Sequence, residues 1–231
     1  MNVRPIRTRI FRESDDLPAF IAAYIPKPKE RSVIVVTSKI VALSEGRTAD
    51  PKNRLQIIKA ESEFALETKY TWLTIKDGTV MSSAGVDESN AAGKLVLLPK
   101  DSFEAAKKLQ SVLKKKWKLK KLGVLITDSR LLPLRAGVVG VALGYAGFKG
   151  IRDYRGKKDI FGRVLKLART DVADSLATAA VLEMGEGKEQ IPLALIEDAR
   201  IEFADKIDRN ELRIEVEDDV YYPLFRSMRD K

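Results

Sequence analysis

The run Ser-Val-Ile-Val-Val-Thr at residues 32–37 constrains the fold more than any other segment of the chain. Its β-branched residues are typical of a strand that is buried on both faces of a sheet. A strand of this kind needs other layers packed on both sides of it. Further apolar strands are predicted at residues 94–99, 123–128 and 191–197.

Helices are predicted between these strands. Apolar residues recur at helical spacing in four stretches, which are residues 17–24, 52–67, 101–118 and 170–184. Two shorter strands are predicted on either side of the turn at residues 76–78, and a last strand within residues 210–219 before a short ordered tail at 220–225. The pattern predicts an α+β fold of mixed sheets with packed helices. Residues 1–231 form one functional unit, built as a single domain or as two interwoven lobes.

The chain contains no cysteine and no histidine. This excludes disulfides, thiolate nucleophiles and zinc fingers, and it removes the commonest general base and transition-metal ligand. Any metal must therefore be held by oxygen, which favours Mg²⁺, Mn²⁺ or Ca²⁺. Because Mg²⁺ usually binds one or two carboxylates together with substrate phosphates, this composition indicates nucleotide chemistry.

The net charge of +9 and the pI near 9.6 suit a polyanionic partner, either a nucleic acid or a small molecule with phosphates or carboxylates. The basic run at residues 114–121 is the strongest nucleic-acid-like signal. Lysines at a helix end are also favoured by the helix dipole, and no RNA-binding motif accompanies the run, so nucleic acid is not the expected partner. A non-catalytic basic protein that binds RNA or nucleotide remains the alternative function.

No stretch of 18 or more apolar residues occurs, and the first residues are charged where a signal peptide would be apolar. We therefore expect a cytoplasmic protein with no membrane partner.

Two aspartates, Asp87 and Asp128, each follow a strand-like apolar run. If the two strands end at the same edge of a sheet, both carboxylates can share a divalent cation with a phosphate. Ser129 can offer a hydroxyl to the same metal or phosphate, and Asn90 can bind a nucleotide. Each of these residues is also common as a helix cap or in a turn, which is the alternative for each taken singly.

The glycine-rich and arginine-rich segments leave two interpretations open. The glycines at 140, 144, 147 and 150 match neither a dinucleotide-binding motif nor a P-loop, and they indicate either close backbone packing or close approach to an anion. The segment 152–163 holds three arginines and two aspartates, which either bind carboxylates or form a solvated charged face. Glu186 lies between two glycines after a helix, where its carboxylate can reach a metal or nucleotide.

Four motifs, AGVDESN, ITDS followed by PLRAG, DYRGKKDIFGR and VLEMGEG, resemble the γ-glutamyl ligases of the deazaflavin coenzyme F-420. The resemblance extends from VIVVTSKIVALSEGR to IPLALIEDA. Within the family, TRIFRESDD and SSAGVDESN resemble a bacterial branch of folate-metabolism γ-glutamate ligases. The resemblance implies the fold of that family, a homodimer, GTP or ATP, two Mg²⁺ or Mn²⁺ ions with K⁺ as a further ion, and an amide-forming reaction on a substrate γ-carboxylate.

The resemblance also implies roles for individual residues. Asp87 and Asp128 match ligands of a first metal, Ser129 stands where the family has a metal-binding threonine, and Glu186 matches a ligand of a second metal. The implied nucleotide-contacting positions are Ser38, Lys39, Asn90 and the segment 184–189, which includes Met184, Gly185 and Gly187.

The chain departs from the family at two nucleotide-contacting places, the N-terminal loop at residues 8–11 and Leu43, where a lysine is expected. These differences favour a folate-like pterin glutamate over the deazaflavin as the acceptor of glutamate. In the expected reaction, a carboxylate is phosphorylated to an acyl phosphate and the amine of glutamate then displaces phosphate. Arg135, Arg152 and Arg163 are the candidates for neutralising the phosphate or carboxylate charges.

Overall fold

The centre of the protein is a five-stranded mixed sheet in the order β1-β12-β2-β8-β9, seen in a computed structural model that describes residues 1–224. The strands of the protein are β1 (Asn2–Ile6), β2 (Ser32–Thr37), β3 (Thr48–Ala49), β4 (Phe64–Glu67), β5 (Trp72–Lys76), β6 (Thr79–Ser82), β7 (Leu95–Val96), β8 (Leu122–Leu131), β9 (Val138–Ala146), β10 (Ile151–Asp153), β11 (Arg169–Asp171) and β12 (Leu193–Glu197). The helices are α1 (Leu17–Tyr24), α2 (Ser38–Ser44), α3 (Arg54–Ala60), α4 (Ser102–Trp117) and α5 (Val172–Met184).

Strand β2 lies in the middle of this sheet, as its sequence predicted. It pairs in parallel with β8 and antiparallel with β12, while β8 pairs antiparallel with β9. Val33 and Val35 face one apolar cluster and Ile34 and Val36 face the other, and all four side chains are fully buried. The strand is therefore apolar throughout because both faces of the sheet are covered.

Helices cover the two faces of the sheet separately. Helices α1 and α4 contribute side chains to one apolar cluster, and α5 contributes to the cluster on the opposite face. Asp171 caps the N-terminus of α5 by accepting a hydrogen bond from the Asp174 amide, and Gly185 ends the helix with a positive φ of 78°. The predicted C-terminal bound of this helix is confirmed, whereas its first residue is Val172 because residues 170 and 171 pair in β11. The end of the helix places Glu186 at the surface.

A smaller part of the chain, residues 48–98, has its own strands and its own apolar cluster. Strands β4, β5 and β6 form an antiparallel sheet, β3 pairs with β7, and Ile58, Leu95 and Trp72 pack in the cluster. The two backbone hydrogen bonds between Asp87 and Val96, of 3.0 and 2.8 Å, fix Asp87 beside β7.

Several elements differ from the sequence-based predictions because pairing partners override local pattern. The predicted helix at 52–67 ends at Ala60, since residues 64–67 pair with β5 instead. The predicted strand at 94–99 is limited to Leu95–Val96, and β9 was not predicted at all. The strand predicted within 210–219 is absent. That segment forms turns and a short 3-10 helix at Val216–Asp218, and the predicted ordered tail at 220–225 extends past the last described residue.

The glycines at 140, 144, 147 and 150 serve close packing, which decides between the two interpretations of this run. A Cβ on Gly140 would lie 2.5 Å from the Ala177 carbonyl oxygen, and one on Gly144 would lie 2.4 Å from the backbone of Ser102. Backbone atoms cannot move aside as a flexible side chain can. The small residues therefore let α5 and α4 pack directly on β9.

We predict that Gly144→Ala lowers the free energy of unfolding by about 1–3 kcal/mol, because the added methyl group forces α4 away from the sheet. Urea denaturation followed by circular dichroism measures the loss. Gly187→Ala is the matched control, since its Cβ would meet only the flexible Glu189 carboxylate at 3.3 Å. Equal stability of the two variants would contradict the packing role of Gly144.

Candidate functional site

The parallel pairing of β2 and β8 brings together two of the segments that hold predicted site residues. The strands are in register to Thr37 and Thr127, so Ser38-Lys39 and Asp128-Ser129 follow at the same edge. Ser38 Oγ donates a hydrogen bond to Asp128 Oδ1 at 3.3 Å. Ser38 and Lys39 also begin helix α2, which the sequence did not predict.

Asp87 joins this edge through Lys39. The Lys39 ammonium donates to Asp87 Oδ2 at 2.7 Å and also to the carbonyl and hydroxyl oxygens of Ser89. The Ser89 amide and hydroxyl donate to the two Asp87 oxygens at 2.7 and 2.8 Å. Burial raises the pKa of Asp87, but the hydrogen bonds from Lys39 and Ser89 outweigh it, and the net pKa lies below the usual value. Asp87 is therefore held as a carboxylate.

Arg130 is a site residue that the sequence reasoning missed. It follows Asp128 by two positions on β8, so both side chains lie on the same side of the strand, and Arg130 Nη1 donates to Asp128 Oδ2. The spacing itself was the signal that could have found it. The Arg130 side chain is only 7% exposed, yet its Nε and Nη2 have no hydrogen-bond partner within residues 1–224. Buried donors almost always have partners, so these two nitrogens are exceptions among the described residues.

Ser129 points to the other side of β8 and meets the end of α5. Its hydroxyl donates to Glu186 Oε1 at 2.5 Å. The turn after α5 is fixed by the Gly187 amide, which donates to Glu189 Oε2 at 2.8 Å. Asn90 Nδ2 donates to the Gly187 carbonyl at 3.0 Å, which ties the Asp87 loop to the same turn.

Most of the predicted metal and nucleotide positions thus take part in hydrogen bonds that join separate segments at this edge. Among the described residues, Gly185 and Met184 do not, since the Gly185 amide donates only to the Val181 carbonyl at the end of α5. The Met184 side chain is 2% exposed and belongs to the apolar core under α5, so only its backbone is near the turn that follows.

The three arginines predicted as catalytic do not meet at this site within the chain. Arg135 lies on the exposed loop between β8 and β9, six residues after Ser129. Arg152 lies on β10, near the opposite end of α5 from Glu186, and donates to the Arg200 carbonyl. Arg163 lies on the exposed loop between β10 and β11, where its amide donates to Asp159.

The donor atoms of the site suit a hard cation, since Asp87, Asp128, Ser129 and Glu186 all offer oxygen. Within residues 1–224, no three acidic residues lie close enough together to bind one metal ion. Lys39 and Arg130 instead supply the positive charge beside Asp87 and Asp128. A metal bound at either aspartate would therefore replace one of these cations.

The N-terminal segment at residues 8–11 lies next to the turn that follows α5. The Thr8 amide donates to the Gln190 carbonyl at 2.9 Å, and Phe11 packs edge-to-face on Phe20 with ring centroids 5.0 Å apart. Arg9 pairs with Asp15, and burial is too slight to offset this contact, which lowers the pKa of Asp15 to about 2. Leu43 packs against the apolar core beside α2.

The basic run at 114–121 lacks the aromatic side chain that base stacking would need. Trp117 is 5% exposed and lies in the apolar core, and Lys114 pairs with Asp205 at 3.1 Å. The lysines end helix α4 and the left-handed Lys118 caps it, as expected for a solvated helix end. No helix among residues 1–224 is long and apolar enough to cross a membrane.

We predict that Lys39→Gln raises the pKa of Asp87. Burial raises this pKa, and the variant lacks the ammonium group of Lys39 that lowers it. Asp87 has a folded-state pKa below its unfolded value. Its pairing therefore stabilises the fold above the unfolded pKa, and that stability is lost as pH falls through the folded pKa. The variant should lose up to about 1 kcal/mol at neutral pH, and less in acid.

Titration of the Asp87 carboxyl by carbon-13 NMR, together with urea denaturation at both pH values, measures these effects. Lys52→Gln removes an exposed lysine outside the site and is the control. An unchanged Asp87 pKa in the Lys39 variant would show that the contact does not exist in solution.

Comparison with known proteins agrees with the resemblance seen in the motifs. Residues 49–198 match the family model described as F420-0:Gamma-glutamyl ligase. The chain is 35% identical over 190 residues to the coenzyme F420:L-glutamate ligase of Methanocaldococcus jannaschii, which covers 82% of this chain and 76% of that protein. It is 36% identical over 208 residues to the ligase of the same name from Methanosarcina acetivorans, covering 81% of each chain. The chain therefore belongs to the F420-0:gamma-glutamyl ligase family.

Proposed function

We propose that the protein is a nucleotide- and metal-dependent ligase that forms a γ-glutamyl amide bond between L-glutamate and the carboxylate of an acceptor. One observation carries the proposal: four hydrogen bonds join separate parts of the sequence around one end of the sheet, namely Ser38–Asp128, Lys39–Asp87, Ser129–Glu186 and Asn90–Gly187. The membership of the family and the names of its relatives support the reaction type.

The proposed reaction proceeds in two displacements. An acceptor carboxylate oxygen attacks the terminal phosphorus of GTP or ATP, and the bond from phosphorus to the nucleoside diphosphate breaks. The amine of glutamate then attacks the carbon of the acyl phosphate, the carbon–oxygen bond breaks, and inorganic phosphate leaves while the amine loses a proton. These displacements depend mainly on positioning and on neutralising charge, so a site without histidine is sufficient.

Oxygen ligands in the site would hold the divalent cations. Asp87, Asp128 and Ser129 are the proposed ligands of one Mg²⁺ or Mn²⁺, and Glu186 is the proposed ligand of a second, with K⁺ as a further ion. When bound, these ions supply positive charge to the phosphate oxygens.

The chain's own cations would then act on the nucleotide. Lys39, released from Asp87, can reach a phosphate from the start of α2. Arg130, released from Asp128, would supply a second cation for a phosphate or carboxylate oxygen. Asn90, Ser38 and the backbone of the Gly185–Gly187 turn are the proposed contacts to the rest of the nucleotide.

Two acceptors are proposed for the new amide. The relatives named coenzyme F420:L-glutamate ligase favour the deazaflavin coenzyme. The N-terminal segment favours a folate-like acceptor, because Thr8 is fixed beside the turn after α5 in a sequence that resembles the folate-metabolism branch. Incubation with labelled glutamate, both nucleotides and a panel of folates and deazaflavins, followed by mass spectrometry, identifies the acceptor and the number of glutamates added.

A homodimer is proposed as the working form. Exposed apolar side chains occur on the two loops that follow β8 and β10, and the most exposed are Leu134, Ile160, Phe161 and Leu167. A second copy of the chain would bury them.

We predict that Asp128→Asn lowers glutamate-dependent phosphate release by at least ~10²-fold, because it removes one charge from the centre of the site. Phosphate release is measured with saturating nucleotide, Mn²⁺ and the identified acceptor, after circular dichroism has confirmed the fold. Asp77→Asn makes the same chemical change at an exposed turn and is the control. Full activity of the Asp128 variant would refute the proposed site.

A further inference from the structure

A cavity lies away from the candidate site, beside strands β10 and β11. It has a volume of about 640 Å³, within the range of small-molecule pockets. Val172, the first residue of α5, lines it, whereas Glu186 lies two residues beyond the last residue of the same helix. A helix of 13 residues is about 20 Å long, so one chain carries the two sites at opposite ends of α5.

Positive side chains dominate the wall of this cavity. Six cations line it, namely Lys149, Arg152, Arg155, Lys157, Arg169 and Arg213, against three carboxylates. Two of the six are neutralised locally, since Lys149 pairs with Glu202 at 2.6 Å and Arg155 pairs with Asp153 at 2.5 Å.

The other four cations make no ion pair within residues 1–224. Arg152 donates to the Arg200 carbonyl, Arg213 donates to the Asp77 carbonyl at 3.1 Å, and Lys157 lies over the Tyr154 ring. Arg169 makes no side-chain hydrogen bond to another described residue. Neutral contacts position Arg152, Lys157 and Arg213 without neutralising their charges, while Arg169 lies close enough to Asp153 to help lower the pKa of that carboxyl.

The third carboxylate of the cavity, Glu211, forms hydrogen bonds that stabilise the fold. Glu211 Oε1 accepts hydrogen bonds from the Tyr145 hydroxyl and the Gly150 amide, each at 2.6 Å. Burial, then this contact with Glu211, raises the pKa of the Tyr145 hydroxyl far above its usual value, so the tyrosine stays a donor. The contact anchors the segment after residue 207 to the central sheet and builds one wall of the cavity.

We propose that this cavity binds a small polyanion that carries two or more carboxylate or phosphate groups. Four cations that make no ion pair among the described residues line one concavity and match separated negative groups, and arginine binds both carboxylate and phosphate through paired hydrogen bonds. Ile151 and Val172 add an apolar surface for the body of the ligand. This inference does not depend on the proposed ligase reaction, because none of the lining residues belongs to the candidate metal or nucleotide site.

Isothermal titration calorimetry at low ionic strength tests the proposal with two probes, inorganic triphosphate and citrate. Arg169→Gln is the first variant, because Arg169 is exposed and its loss should leave the fold intact. We expect it to weaken binding of the preferred probe about tenfold or more, and Arg152→Gln/Arg169→Gln to weaken it further. Preference for one probe identifies phosphate or carboxylate as the natural group.

Arg4→Gln is the matched control, since Arg4 is an exposed arginine of β1 outside the cavity and its loss changes the net charge equally. In an Asp128→Asn background, Arg169→Gln should weaken binding of the probe by the same factor, which separates this proposal from failure of the ligase site. Failure of the unmodified protein to bind either probe would overturn the proposal. Equal weakening by Arg4→Gln and Arg169→Gln would also overturn it, because that result indicates only general charge attraction.

Discussion

The parallel pairing of β2 with β8 is the constraint on which the candidate site depends. In a parallel pair, both carboxyl ends reach the same edge of the sheet, and ligands commonly bind there. The register between Thr37 and Thr127 brings Ser38-Lys39 beside Asp128-Ser129. The apolar content of both strands holds that register, because each is buried on both faces and a shift by one residue would exchange the two faces. The burial of β2 and β8 thus determines both the core of the protein and the position of the site residues that follow these strands.

Charge balance is the second theme of the site. Asp87 and Asp128 contact the consecutive residues Lys39 and Ser38, and each carboxylate is paired with a cation of the chain, Lys39 or Arg130. A carboxylate that is partly buried needs such a partner. If a metal ion bound these carboxylates, Lys39 and Arg130 would be released and could bind the phosphates of a nucleotide. This arrangement suits a site for a metal ion and a nucleotide.

Helix α5 connects two regions of opposite character. Its C-terminal turn carries Glu186 beside Ser129, and its N-terminal end borders the basic cavity that Arg152 and Arg169 line. Close packing of α5 on β9, which Gly140 permits, fixes both regions to the same central sheet. The basic residues of the chain therefore have at least two separate locations. Some are paired with the carboxylates of the candidate site, and others line the cavity at the opposite end of α5.

Sequence by itself determined strands β2, β8 and β12 of the central sheet, the helices α1, α4 and α5, the turn at Gly185, and the identity of the acidic residues, because these follow from local periodicity, capping and short motifs. It also indicated the family through motifs that the comparisons bear out. Only the tertiary structure decided that Arg130, rather than Arg152 or Arg163, lies beside Asp128, and that Met184 is a core residue. It also decided that residues 64–67 pair as a strand and that the glycines of β9 serve packing. These outcomes depend on contacts between residues far apart in the chain, which local pattern cannot encode.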